Sequence, residues 1–152
     1  MRVSAKTDYA LRAAVELAAA VGNGPVKGER LATSQSIPLR FLENILLQLR
    51  HAGIVESRRG ADGGYKLARP PEEITLADVI RAVDGPLANV RGSRPESVEY
   101  KGPALRLRDV WIAVRANLRA VLESVTLADL AAGNLPDEIG AITSDPEAWQ
   151  PH

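Results

Sequence analysis

The sequence predicts a mainly α-helical chain with one small β-hairpin, followed by a long C-terminal helix. Three observations predict it. An amphipathic stretch over residues 38–52 runs directly into two short β-prone segments joined by Arg58-Arg59-Gly60-Ala61-Asp62-Gly63-Gly64. Two helical periods precede that stretch, and apolar residues at alternating steps of four and three fill residues 104–125.

Thr7 and Asp8 are N-cap residue types, and Tyr9, Ala10, Ala13, Ala14, Leu17, Ala18 and Val21 recur behind them at helical spacing until Gly22-Asn23-Gly24-Pro25 ends the pattern. Residues 27–34 hold Leu31 and Ala32 within a charged stretch, which predicts a two-turn helix closing at Gln35-Ser36. Pro38 suits the first turn of a third helix, because its missing N–H is an orphan there and its φ is preset. Leu39, Leu42, Ile45, Leu46 and Leu49 make one stripe expected to be buried, and Gly53 supplies the stop. The opposite face carries Arg40, Glu43, Asn44, Leu47, Gln48 and His51, a set rich in groups that bond base edges or phosphates, or that simply meet solvent.

Residues 54–57 and 64–68 read as short strands around a glycine-containing turn, so helix and hairpin together predict a winged helix-turn-helix. Arg58 and Arg59 suit a minor groove or phosphates, since a narrow groove concentrates negative potential; the alternative is a solvated hairpin. Pro70-Pro71 marks a break, after which Ile74 to Val83 forms a short amphipathic helix capped by Thr75 with Asp78 three residues on. Residues 87–103 have loop composition and no sustained period, and predict a mobile connector.

Leu107, Trp111, Val114, Leu118, Val121 and Val125 form a heptad seam. Leu105, Val110 and Leu122 widen it beyond what one small domain needs, which predicts a dimer interface; the alternative is a core helix closing onto the N-terminal domain. Thr126 with Asp129 caps a final short helix through Leu130. After Gly133 the tail has four acidic residues, no Lys or Arg, and proline interruptions, and is expected to fray. No internal repeat is evident. The chain thus divides into a winged helix-turn-helix at 1–69, a connecting helix and flexible loop at 70–103, a dimerisation helix with a short final helix at 104–132, and an acidic tail at 133–152.

The net charge of zero over 152 residues conceals a split. Residues 1–69 carry 11 Lys/Arg against 6 Asp/Glu, a net +5, and residues 70–152 carry 8 against 13, a net −5. A basic contact module joined to an acidic remainder follows. With no cysteine, disulfides, thiolate catalysis and cysteine-held zinc or iron-sulfur clusters are excluded. The N-terminus has no apolar signal core and no run spans a membrane, so a cytoplasmic protein without an anchor is expected. His51 and His152 are the only histidines, and no phosphate-binding glycine loop opens a helix after a strand, so an enzyme is not expected, nor a cofactor or metal.

The residues resemble the Rrf-two family of bacterial winged-helix repressors, which includes iron-sulfur cluster regulators. Carrying the resemblance are Tyr9-Ala10-Leu11-Arg12-Ala13, Phe41-Leu42-Glu43, Leu49-Arg50, Ala52-Gly53-Ile54-Val55, Arg59-Gly60, Gly63-Gly64-Tyr65-Lys66-Leu67, Val79-Ile80-Arg81-Ala82-Val83 and Thr126-Leu127-Ala128-Asp129-Leu130, together spanning nearly the whole chain. The resemblance implies a homodimer on double-stranded DNA, with the third helix in the major groove and each wing tip in the adjacent minor groove. It implies Glu43 and Arg59 as DNA-reading residues and Ser4, Lys6 and Tyr9 as phosphate contacts. A glutamate can accept from a cytosine amine, whereas arginine in a minor groove reports shape, and phosphate contacts position without specifying. Arg40, one turn before Asn44 on the exposed face, adds a further base-edge candidate.

One departure is large. Cluster-binding members carry three cysteines in the loop before the dimer helix, where this chain has Gly92, Ser93, Pro95, Glu96, Ser97, Val98, Glu99 and Tyr100. Cluster sensing is therefore not expected, while the reading head is kept. The predicted function is a dimeric, sequence-specific DNA-binding repressor on a near-palindromic operator, with a small-molecule or protein effector at the 87–103 loop beside Trp111. The alternative is a winged-helix dimer that serves as an interaction or small-molecule-sensing module with weak or lost DNA specificity.

Overall fold

In the computed structural model, which describes residues 2–151, the first helix α1 spans Ala5–Ala19 and begins earlier than its sequence pattern suggests. Ser4 is the N-cap, its Oγ accepting from the Thr7 amide at 3.0 Å, and Thr7 is buried. Met1 and His152, the outer bounds of the first and last predicted segments, lie outside the described residues. The buried face of α1 is mostly alanine: Ala10, Ala13, Ala14 and Ala18 around Leu17. Small side chains there let other helices lie close, and α1 packs on both α4 (Leu76–Asp84) and α6 (Leu127–Ala132).

α2 (Gly28–Gln35) ends on Ser36 in the left-handed conformation, Ile37 drops into the core, and Pro38 leads into α3 (Leu39–His51). Leu42, Ile45, Leu46 and Leu49 of α3 are fully buried. Leu39, expected in the same stripe, is 37% exposed because the first turn of the helix overhangs the core and leans toward Gly28. β1 (Val55–Arg58) and β2 (Gly64–Leu67) pair antiparallel with Val55 opposite Leu67 and Arg58 opposite Gly64. Val26 bridges to Tyr65 through two backbone hydrogen bonds of 2.8 Å, so the hairpin is tied to the segment before α2.

Two identical tetrapeptides, Thr75-Leu76-Ala77-Asp78 and Thr126-Leu127-Ala128-Asp129, correct the expectation of no internal repeat. Each threonine caps its helix with the aspartate closing a full capping box. The two caps also face each other: Thr75 bridges Thr126, Leu76 N–H donates to the Val125 carbonyl at 3.0 Å, and Leu127 N–H to that of Ile74 at 2.9 Å.

The loop at 87–103 is folded, contrary to the mobile connector expected of it. Val90 and Ser93 close a tight turn, Pro95–Ser97 and Gly102–Ala104 form 3-10 turns, and Pro95 and Val98 are buried. Two contacts tie this segment to the long helix α5 (Leu107–Ser124): Arg115 pairs with Glu96 at 2.5 Å, and Trp111 Nε1 donates to the Tyr100 hydroxyl at 3.0 Å. Single turns held by tertiary contacts leave no repeat in the sequence. The tail likewise is structured, with α7 at Asp137–Thr143 and a 3-10 turn at Pro146–Trp149, where the Trp149 indole donates to the Thr143 carbonyl at 2.7 Å.

The expected seam of α5 is divided. Leu107 and Val121 are exposed, but Trp111, Val114 and Leu118 are half-buried and face inward. Val125 lies beyond the helix end and is 3% exposed, its carbonyl holding α4, so it packs inside the chain rather than on an outer seam.

Candidate nucleic-acid interface

The helix-turn-helix and the wing place one set of polar groups in solvent. Arg40, Glu43 and Asn44 stand on the outer face of α3, and all three are exposed. They make no side-chain hydrogen bond or ion pair among the described residues, although Arg40 and Glu43 are three apart on one helix, a spacing at which such pairs readily form. Phe41 and Leu47 flank them at 45% and 41% exposure. His51 and Arg50 fill the last turn, where cations complement the helix dipole.

Arg58 ends β1 and Arg59 opens the wing-tip loop, both exposed and unpaired among the described residues. The tip is sharply shaped by its glycines. A Cβ at Gly63 would fall 2.1 Å from the Arg58 carbonyl oxygen, and Gly64, at φ 149°, would carry one 2.5 Å from that of Val26. Lys27 reaches across to the Gly60 carbonyl at 3.0 Å, and Lys66 pairs with Glu56 directly opposite at 2.8 Å. Arg50 donates to Ser57 Oγ at 3.0 Å and so ties the end of α3 to the base of the wing.

Ser4, Lys6 and Tyr9 occupy the start of α1. The Tyr9 ring meets Phe41 edge-on at 5.7 Å and carries the Arg12 guanidinium over its face at 4.8 Å, which links α1 to the start of α3. Ser4 and Lys6 are engaged within the chain. Ser4 Oγ donates to Asp84 Oδ2 at 2.6 Å, Thr7 Oγ1 donates to the same oxygen, and Lys6 Nζ lies 3.3 Å from Oδ1. Burial acts to raise the Asp84 carboxyl, but the two hydroxyls and the lysine outweigh it and hold the group below its ordinary value.

Lys27 and Asp84 were not singled out from the sequence, yet they shape the tip and the α1 end. A signal for Asp84 existed: an aspartate closing α4 just before Gly85 opposes the helix dipole, and such a residue needs a partner from elsewhere. Its partner is the N-terminal end of α1, where anions are favoured.

A three-helix reading head with a paired β-hairpin, carrying unpaired polar groups on the third helix and wing tip, defines a winged-helix transcriptional regulator. The chain belongs to the Rrf2 (Rrf-two) family, whose model, described as iron-dependent transcriptional regulator, matches residues 3–133. It is 50% identical over 150 residues to the HTH-type transcriptional regulator Rv1287 of Mycobacterium tuberculosis (strain ATCC 25618 / H37Rv), covering 99% of this chain and 93% of that protein. CymR (YrzC), described as the global cysteine regulator of B. subtilis, superposes with a TM-score of 0.75 at 38% identity, covering 88% of this chain and 98% of CymR. IscR of T. potens gives 0.69 at 32% identity over 100% of this chain and 93% of its own. These relatives are transcriptional regulators rather than enzymes.

The family description implies iron, and the residues present do not fit it. The chain has no cysteine, and no group of three or more His, Asp or Glu side chains among the described residues could hold a metal ion. In the loop before α5 one of the two carboxylates, Glu96, is already committed to Arg115. Among the described residues no helix is long and apolar enough to cross a membrane.

Proposed function

We propose that two copies of this chain pair along α5 and act in the cytoplasm as a sequence-specific repressor on a near-palindromic operator, without an iron-sulfur cluster. Each α3 enters a major groove and each wing tip the adjacent minor groove. The observation that carries this reading is the unpaired set Arg40, Glu43, Asn44, Arg58 and Arg59, presented on one rigid head. Glu43 would accept from a cytosine amine, Arg40 and Asn44 would meet neighbouring base edges, and Arg58 and Arg59 would enter the narrow groove. Ser4, Lys6 and Tyr9 would touch phosphates, with Asp84 presetting the first two.

Pairing along α5 is supported by a face rotated from the heptad expectation. Leu107, Val110 and Val121 are exposed at 37%, 50% and 40%, with the small exposed residues Ala113 and Asn117 on the same side. Such a face lets two helix backbones approach closely. Two-fold pairing predicts two-fold DNA symmetry. Regulation would enter at the 87–103 loop, through a small molecule that favours one arrangement of the two heads.

Titration of the purified protein against DNA from its own upstream region and against random duplex, over a salt series, tests the reading. Clear preference for the upstream DNA is expected, and binding that depends on salt but not on sequence would overturn it. Glu43→Ala should relax preference at one operator position, and Val110→Glu should convert dimer to monomer in sedimentation.

A further inference from the structure

A cavity of about 870 Å³ lies between the start of α1, α4, the 86–95 segment and the inward face of α5. Its size falls within the range of ligand-binding clefts, roughly 300–1,000 Å³. The floor is apolar, built by Ile80, Leu87, Trp111, Val114, Leu118 and Leu122. The rim is charged, with Arg2, Asp84 and Arg91. Asp84 is saturated by Ser4, Thr7 and Lys6, whereas Arg2 and Arg91 have no hydrogen bond or ion pair among the described residues. What the rim offers an incoming molecule is therefore positive charge over an apolar bed.

Arg91 is also held where backbone preference would not put it. It has φ 54°, followed by Gly92 at φ 79°, in the tight turn closed by the reciprocal Val90 and Ser93 hydrogen bonds of 2.9 and 3.0 Å. Two consecutive positive φ values favour Asn-Gly or Gly-Gly, so an arginine in the first place is disfavoured by the turn itself. A strained residue at a cavity mouth is a common mark of a binding site.

We propose that this cavity binds an organic anion: a monocarboxylate whose apolar body lies on Trp111, Val114 and Leu118 and whose head is paired by Arg91, with Arg2 beside it. Guanidinium recognises carboxylate by two parallel hydrogen bonds, and water exclusion by the floor strengthens the pair. The cavity joins the α1 end and α4 to the inward face of α5, so an occupied site couples the reading head to the pairing helix. The coupling rests on the repressor reading above; the binding does not.

Decanoate titrated into the Trp149→Phe protein tests it, since Trp111 is then the only indole. Saturable change in Trp111 emission is expected with decanoate and not with decanol. Arg91→Asn separates binding from folding: Asn suits the positive φ, so thermal stability should hold or rise while decanoate affinity falls about tenfold or more. The proposal is overturned if decanol binds as well as decanoate, if Arg91→Asn binds normally, or if no saturable change occurs because a second copy fills the cavity. The readout uses no DNA, so failure of operator binding leaves the site standing, and failure of the site leaves the repressor reading standing.

Discussion

On α3 and the wing tip, Arg40, Glu43, Asn44, Arg58 and Arg59 reach into solvent without a partner among the described residues. Along α5 most charges are matched within the chain: Arg115 is taken by Glu96, Asp109 by Arg106, and Glu123 gathers both Arg81 and Arg119, with Arg108 left open among the described residues. Both regions have charges at pairing distance in sequence, so composition does not separate them. The difference lies in what each face is for. Charges that close the chain on itself are matched inside it, and under the proposed function the open charges of α3 and the wing tip would be matched by DNA.

The contrast can be broken most severely from beneath. Leu46 is fully buried under α3, and Leu46→Ala should lower stability by about 3 kcal/mol in urea unfolding, dismantling the open face with its support. Gly63→Ala aims at the wing alone. Its Cβ would meet the Arg58 carbonyl, so a loss of about 2 kcal/mol is expected, with altered amide shifts concentrated in residues 58–64. An unchanged hairpin spectrum would mean that the tip is less tightly shaped than its geometry implies. Arg59→Ala leaves the fold alone and should weaken operator binding about tenfold, with the salt slope reduced by about one. If affinity and slope are both unchanged, the open charges are not the DNA contacts.

The smallest effect belongs to the paired side. Hydrogen bonds from Arg81 and then Arg119 hold the Glu123 carboxyl below its ordinary 4.5, and the Glu96 backbone amide followed by Arg115 does the same for Glu96. A group whose folded value is depressed contributes stability in full above its unfolded value and loses it as pH falls through the folded one. Thermal stability should therefore decline below about pH 4.5, and the combined Glu96→Gln and Glu123→Gln protein should decline less steeply. An identical slope would mean that these pairs are too solvated to register.

Much of the reading head was legible because its signals are local. The α3 stripe, the proline before it and the glycine-rich tip each follow from spacing a few residues long, and Leu42, Ile45, Leu46 and Leu49 are buried as that spacing requires. Leu39 shows the limit, since periodicity cannot tell that a helix overhangs its support. The α5 side was harder to read because its decisive contacts join distant residues. Ser4, Thr7 and Lys6 meet Asp84 some eighty positions away, Glu96 meets Arg115 from inside an aperiodic loop, and the carbonyl of buried Val125 accepts from the Leu76 amide. Heptad spacing found an apolar helix, but it could not say which part of the apolar surface the chain would cover itself. The α1 cap shows the same limit at short range, with Ser4 preferred over Thr7 once Thr7 is committed inward.

The twin Thr-Leu-Ala-Asp caps give the molecule a mechanical property. Their two crossed backbone hydrogen bonds fasten the start of α4 to the end of α5 at a single point, which the helix dipoles of α4 and α6 leave from together. A hinge there would require both bonds to open and two capping boxes to lose their footing. The start of α4 is thus clamped to the end of α5, so in the proposed dimer an effector would change how the two α5 helices meet rather than bend the chain at this joint. In that dimer, a base pair added between the half-sites should weaken binding, which titration of the lengthened duplex checks.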